Sequence, residues 1–187
     1  MSNELLNSLS TEDLLTTCLD YPLLGDIMAF NNSQDGIDSY RNNFNGVREF
    51  FSRPDCASIL INKYSSIDPS DFDKNWSLHS KGEFSFVIMV MEFLLSQEEV
   101  IQAMTESKKK EVVNILLTKR DRKQDKEVFG QLSHMSIYYA IIRVILSEHD
   151  YLTDVENEDI IKFSQLGNLN YSLIIPRINE LALEFIK

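Results

Sequence analysis

The residues that most often bind transition metals are few and scattered in this chain. Its three histidines, His79, His134 and His149, lie far apart, whereas zinc sites are typically built from ligand pairs a few residues apart. His134 falls beside a predicted core stripe, and the other two fall in polar segments among acidic residues. The pattern therefore predicts packing and solvated roles for the histidines rather than a zinc site.

Two acidic stretches have the ligand spacing of a calcium loop but lack its other requirements. Residues 71–75 match the first three ligand positions of an EF-hand, yet Trp76 stands where that loop needs glycine and Gly82 where it needs a bidentate glutamate. The stretch 154–165 lacks the same two residues. We therefore expect no bound metal, and no feature of the sequence indicates a cofactor.

The short motifs of common enzyme classes are missing from the sequence. It contains no GxSxG elbow, Walker loop, GxGxxG turn or HExxH pair. The leading hypothesis is therefore a non-catalytic domain that binds another protein or a peptide, and we expect the chain not to be an enzyme. The alternative is a small hydrolase or metal-dependent enzyme whose residues converge from distant segments. A deep pocket holding His79 or His149 beside carboxylates would favour that alternative.

Basic residues concentrate in one stretch, 108–126, as they do in many nucleic-acid-binding segments. However, no aromatic residue interleaves with them, acidic residues dilute them, and the chain carries a net charge of −11. A charge of that sign repels nucleic acid. We predict a solvated helix face opposite the acidic stretch 148–159, and no nucleic-acid partner. The bases concerned are Lys108, Lys109, Lys110, Lys119, Arg120, Arg122, Lys123 and Lys126.

Phe72 and Trp76 are the candidate binding residues. Trp76 is the single tryptophan, and Phe72 precedes it by one helical turn's spacing in a polar segment, 68–80. If exposed, the two rings would form an anchor for a partner protein. If folded inward, they would plug one end of a helical core.

Helical periodicity recurs along the chain and strand alternation is absent, which predicts an all-α fold. In residues 84–95, FSFVIMVMEFLL, ten of twelve residues are apolar, and such a helix must be surrounded by other elements. It is too short to span a bilayer, which takes about 20 apolar residues. We therefore predict a central helix here. Its most buried side chains should be Phe86, Ile88, Met89 and Phe93.

Together with residues 84–95, the remaining segments predict a total of seven to nine helices in one domain, residues 1–187. Ser96 followed by Glu99 has the form of a capping box and predicts a helix start, and the Asn-rich run before Gly46 predicts a helix break. An irregular bundle is the favoured layout. The alternative is a short HEAT- or armadillo-like α-solenoid, because residues 49–55 resemble residues 92–98 at a separation of 43 positions.

The compartment is predicted from the cysteines and the N-terminus. Cys18 and Cys56 both lie on apolar helical stripes, as small buried hydrophobic residues do. The first fifteen residues show no basic region, long apolar region or cleavage site of an export signal. We expect a cytoplasmic protein, or one of the cell envelope or secreted if a signal has been trimmed away.

Three segments carry a resemblance to a protein family: CLDYPLLGDIMAFNNSQDG at 18–36, FNGVREFFSRPD at 44–55, and KGEF at 81–84 with QEEV at 97–100. Together they resemble an uncharacterised bacterial family of small helical proteins, many of which carry lipoprotein-type export signals. The resemblance implies an all-helical fold and a cell-envelope setting. It implies no activity, cofactor or catalytic residue, and this chain lacks the signal.

Overall fold

The computed structural model describes residues 1–22, 24–30, 32–67, 76–123, 135–148, 158–166 and 173–187. Of these residues, 82% are helical and none forms a strand, so the predicted all-α fold is confirmed. Nine α-helices in the described ranges have seven or more residues, in agreement with the predicted seven to nine. Two shorter α-helices and one 3-10 helix complete the described elements.

The first half of the chain forms five α-helices and the 3-10 helix. The bounds are α1 Asn3–Ser8, α2 Thr11–Leu19, the 3-10 helix Leu24–Ala29, α3 Ser33–Asn43, α4 Asn45–Ser52 and α5 Cys56–Ser66. The second half contains α6 Leu78–Leu95, α7 Glu98–Gln102, α8 Glu106–Lys123, α9 Met135–Leu146, α10 Glu158–Leu166 and α11 Ile175–Phe185.

Local chemistry explains where several helices begin and end. The hydroxyl of Ser10 accepts a hydrogen bond from the backbone N–H of Asp13, which caps α2. The predicted break near Gly46 lies at Phe44, whose extended backbone (φ −127°, ψ 107°) separates α3 from α4. Gly36 lets α3 approach the 3-10 helix, since a Cβ there would lie 2.4 Å from the carbonyl oxygen of Ile27.

The predicted capping box at Ser96 is wrong. Ser96 is the C-cap residue of α6, and its hydroxyl donates to the carbonyl of Phe93 at 2.7 Å instead of accepting from the next helix. The short helix α7 begins after Gln97, which makes no side-chain capping bond. Ser96 is fully buried, so its hydroxyl satisfies one of the carbonyls left open at the end of α6.

The centre of the core is α9 rather than the helix that the sequence favoured. Nine consecutive or near-consecutive residues of α9 between Ser136 and Ile145 are buried, on every side of the helix. It packs against α6, α8, α10 and α11. Arg143 is the half-buried interruption of this surface.

Only the second half of the predicted central helix is enclosed. Ile88 and Phe93 are buried, as predicted, but Phe86 and Met89 are half-buried. The helix also begins at Leu78, six positions before the predicted Phe84, because Ser77 caps it by accepting from the backbone N–H of Ser80. The added turns extend α6 past the neighbours that bury residues 90–95, so its first half keeps a partly solvated face.

The helix lengths do not support the solenoid alternative. The resembling segments 49–55 and 92–98 follow helices of 8 and 18 residues and precede helices of 11 and 5 residues. A solenoid unit repeats its helices as well as its turns. The two segments therefore resemble each other only because each contains the apolar end of a helix. The contacts of α9 with helices on all its sides are those of an irregular bundle.

The unequal burial of α6 predicts unequal effects of truncation. Phe93→Ala should lower the free energy of unfolding by about 3–5 kcal/mol, since it removes a fully buried ring from the core. Phe86→Ala should cost about 1–2 kcal/mol, because water already reaches that side chain. Urea unfolding of the two variants at one pH measures both values. Equal losses would contradict the placement of the two rings.

Candidate functional site

Only one of the two predicted binding residues lies in the described ranges. Trp76 lies just before α6, with 36% of its surface exposed, and its ring packs edge-on against Phe84 with centroids 5.7 Å apart. Phe72 lies outside the described residues. The pairing of Phe72 with Trp76, as an anchor or as a plug, therefore stays a prediction.

The candidate metal ligands form no cluster in the part of the chain that the structure describes. Within those ranges, no group of three or more histidine, cysteine, aspartate or glutamate side chains could hold a metal ion. His79 is exposed on α6, 3.2 Å from the carboxylate of Glu83. His134, His149, residues 71–75 of the first predicted acidic loop and residues 154–157 of the second lie outside the described residues.

The basic stretch on α8 is not the solvated face that the sequence predicted. Lys109 and Lys119 are buried, each with its ammonium group at an internal acceptor. Lys109 pairs with Glu148, which agrees with the expectation that this helix faces the acidic stretch after α9. The long aliphatic stems of lysine cover apolar surface while the charged end reaches a partner, so the two side chains can be enclosed.

Three further bases of α8 also have acceptors. Lys108 pairs with Glu111 and Lys110 with Glu106, and Arg120 donates to the side chain of Asn179. Nearby carboxylates therefore offset the charges of Lys108, Lys109 and Lys110. Lys119 and Arg120 donate to uncharged oxygens instead.

A fully buried carboxylate ties three helices together. Glu92 on α6 is completely enclosed, and its Oε1 accepts a hydrogen bond from the hydroxyl of Tyr64 on α5 at 2.8 Å. Its Oε2 accepts from the hydroxyl of Ser136 on α9. Burial and the neighbouring carboxylate raise the pKa of Tyr64 well above its usual value, so the phenol remains a donor. Because no solvent reaches Glu92, this cluster stabilises the fold and offers no site to a substrate.

Lys119 extends the polar cluster to the end of α5. Its ammonium nitrogen lies 5.0 Å from the centroid of the Tyr64 ring and donates to the carbonyl of Ile67. The last carbonyls of a helix have no partner within the helix and carry its negative partial charge. Lys119 therefore caps α5, which explains why a lysine that sequence reasoning assigned to solvent is buried.

A cleft of about 310 Å³ opens between α7, α8, α9 and α10 and is the candidate site in the described ranges. One wall consists of Ile101 and Gln102 on α7 with Glu98 at its start. Lys109 contributes from α8. A volume of this size is at the lower end of those that hold small ligands, so it can accept one side chain or a small molecule.

The part of the cleft lining that belongs to α9 and α10 carries groups that can accept or donate hydrogen bonds. It comprises Arg143 and Leu146 of α9, Ser147 just after that helix, and Ser164 of α10. The hydroxyls of Ser147 and Ser164 each donate to a carbonyl of their own helix at 2.7 Å, which leaves their oxygens able to accept. Arg143 is fixed by its Nε, which donates to the carbonyl of Ser96 at 3.1 Å.

Sequence reasoning did not identify Arg143, although a signal for it exists. In residues 137–146, IYYAIIRVIL, it is the single charged residue of an otherwise apolar helix. A guanidinium in such a run cannot be buried without acceptors, so it must meet a partner or line an opening. The structure shows both, with Nε on a backbone carbonyl and the side chain at the wall of the cleft.

The two cysteines are free and buried, as predicted. Burial raises the pKa of the Cys18 thiol to about 12, and burial likewise raises the pKa of Cys56. Next to Cys18, the hydroxyl of Tyr40 donates to its backbone carbonyl at 2.6 Å. A thiol that stays protonated is a poor nucleophile, so neither residue has the properties of a catalytic cysteine.

In comparisons with protein-family models, curated proteins and solved structures, nothing matches this chain. No helix in the described ranges is long and apolar enough to cross a membrane. The resemblance to a bacterial envelope family therefore stays a prediction.

Removing the Tyr64 hydroxyl should reveal the contribution of the buried carboxylate. Tyr64→Phe leaves Oε1 of Glu92 without that donor, and we expect a loss of about 1–3 kcal/mol in the free energy of unfolding. Tyr21→Phe is the matched control, since no hydrogen bond to the Tyr21 hydroxyl is present in the described residues, and it should change stability by less than about 0.5 kcal/mol. Similar losses for both variants would contradict the role assigned to the cluster.

The buried Cys18 thiol predicts a pH dependence of stability. Its folded pKa of about 12 lies above the reference value of 9.0, so the unfolded chain loses the proton first. The free energy of unfolding should be at its full value below pH 9 and fall as the pH rises towards 12. Urea unfolding under reducing conditions at several alkaline pH values measures this slope. Cys18→Ala should make it shallower, and an unchanged slope would contradict the burial of the thiol.

Proposed function

We propose that this chain is a non-catalytic helical domain that binds a protein or peptide, with the cleft between α7, α8, α9 and α10 as its binding site. The observation that carries the proposal is the lining of that cleft. It combines a positioned guanidinium, hydroxyl oxygens able to accept, and the apolar side chains of Ile101 and Leu146. Peptide-binding surfaces combine an apolar contact with a few placed polar groups in this way.

The enzymatic alternative has less support in the described residues. Their cleft lining includes no histidine and no cysteine, and Glu98 is exposed and accepts from the amide of Gln102 at 2.8 Å. General acid–base catalysis needs a group within hydrogen-bond reach of a nucleophile. Ser147 and Ser164 donate to backbone carbonyls instead of to a base, so neither is activated for attack.

The proposed setting is the cytoplasm. The support is the pair of free thiols, Cys18 and Cys56, in a chain whose described part contains no disulfide. Thiols persist in this state in reducing compartments. Fractionation of the source cells, followed by detection of the intact chain, tests this setting.

Filling the cleft should abolish peptide binding. Peptides selected from a displayed random library on the immobilised full chain would be measured by fluorescence polarisation. Ser147→Trp places an indole on the cleft wall and should weaken their binding by about tenfold or more, which corresponds to about 1.4 kcal/mol.

Ser52→Trp is the matched control for that experiment. Ser52 is also exposed at a helix end, and its hydroxyl donates to the carbonyl three residues before it at 2.7 Å, as that of Ser147 does. It does not line the cleft, so its substitution should leave peptide affinity unchanged. Failure to select any peptide, or equal weakening by both variants, would overturn the proposed function.

A further inference from the structure

Arg143 is the positively charged residue of the described cleft lining that is left available to a ligand. Of the two cations in the described lining, Lys109 is paired with Glu148. Within the described ranges, no carboxylate lies within 4.0 Å of Arg143. Its hydrogen bond there is made by Nε, so both Nη groups are left to donate to a ligand. A guanidinium held at Nε presents its Nη donors in a fixed plane, which is the geometry that a carboxylate binds.

We infer that the cleft recognises the C-terminal carboxylate of a peptide, with Arg143 as the group that binds it. This inference rests on the proposed function and adds the chemical identity of the recognised group. Three features of a peptide terminus match three features of the cleft. The carboxylate meets the Nη groups of Arg143, the last side chain meets Ile101 and Leu146, and the last backbone N–H meets the hydroxyl oxygen of Ser147 or Ser164.

Charge selects a single carboxylate over an acidic segment. The chain has a net charge of −11, and Glu98 adds a negative charge at the cleft wall. Several acidic side chains on one ligand would be repelled by this field, whereas one carboxylate on an otherwise neutral peptide gains the local attraction of Arg143. A terminal carboxylate also lies next to the last side chain, which allows the polar and apolar contacts to form within about 310 Å³.

The decisive comparison uses the unaltered protein and one chemical change in the ligand. Fluorescein-labelled hexapeptides of glycine and serine, ending in leucine or phenylalanine, would be prepared with a free and with an amidated C-terminus. The amide should bind about tenfold or more weakly, because it loses a charge-assisted bidentate pair. Equal affinity of the two forms would overturn the inference while leaving peptide binding, and thus the proposed function, intact.

Variants of Arg143 test whether this residue binds the C-terminal carboxylate of the peptide. Arg143→Gln should remove the difference between free and amidated peptides, and Arg143→Lys should retain part of it, since lysine keeps the charge without the planar fork. Arg177→Gln is the control, because Arg177 is an exposed arginine of α11 that pairs with Glu180 outside the cleft. Glu98→Gln should tighten binding of the free-acid peptide by about two- to fivefold. A free-acid preference that persists in Arg143→Gln would place the carboxylate elsewhere and overturn the inference.

Binding of a small carboxylic acid distinguishes two outcomes: that carboxylate recognition is wrong, and that peptide binding is wrong. 4-Methylpentanoate has the carboxylate and the apolar chain but no peptide backbone, and its binding can be followed by NMR shifts of the cleft residues. If it binds in an Arg143-dependent way while no peptide binds, carboxylate recognition is supported and the proposed peptide function is wrong. If neither it nor any peptide shifts those residues, both are wrong.

Discussion

The structure depends on the enclosure of α9, a helix with almost no polar surface. All of its residues from Ser136 to Ile145 except Arg143 are buried, which requires neighbours in every direction, and α6, α8, α10 and α11 supply them. Burial of this much apolar surface is the main favourable term in folding. Two of the polar side chains on α9 have further consequences: Ser136 donates to the enclosed carboxylate of Glu92, and Arg143 lines the cleft.

The polar groups of the core fix which helices meet and in what register. Apolar packing tolerates several arrangements, whereas a buried carboxylate tolerates only those that provide its donors. Glu92 therefore requires Tyr64 of α5 and Ser136 of α9 at the same height along α6. Lys119 adds α8 to this arrangement, since its ammonium group must reach the carbonyls at the end of α5. The cluster thus specifies the layout of four helices.

The sequence predicted the helices well and their arrangement poorly. Helical periodicity predicted the all-α fold and the number of helices that the described residues show. However, residues 84–95 and α9 are both apolar all round, and their sequences alone do not tell which is surrounded over its whole length. The error at Ser96 has a similar cause. A serine hydroxyl can accept from a backbone N–H of the next helix or donate to a carbonyl of the preceding one. Ser96 is buried at the end of α6, where its hydroxyl donates to the carbonyl of Phe93. Lys109 and Lys119 were assigned to solvent because lysine usually is exposed, and only tertiary contacts identify their internal acceptors.

The cleft follows from the same constraint that builds the core. Four helices can surround α9 only where its surface is apolar, and at Arg143 close packing would bury a charge at a large cost. One side of the guanidinium is satisfied by the carbonyl of Ser96, which the end of α6 leaves without a helical partner. The side chain also lines the cleft, together with residues of α7, α8 and α10. The single arginine of this apolar helix thus lies where the cleft opens beside the core, and its hydrogen bond to the end of α6 fixes it there.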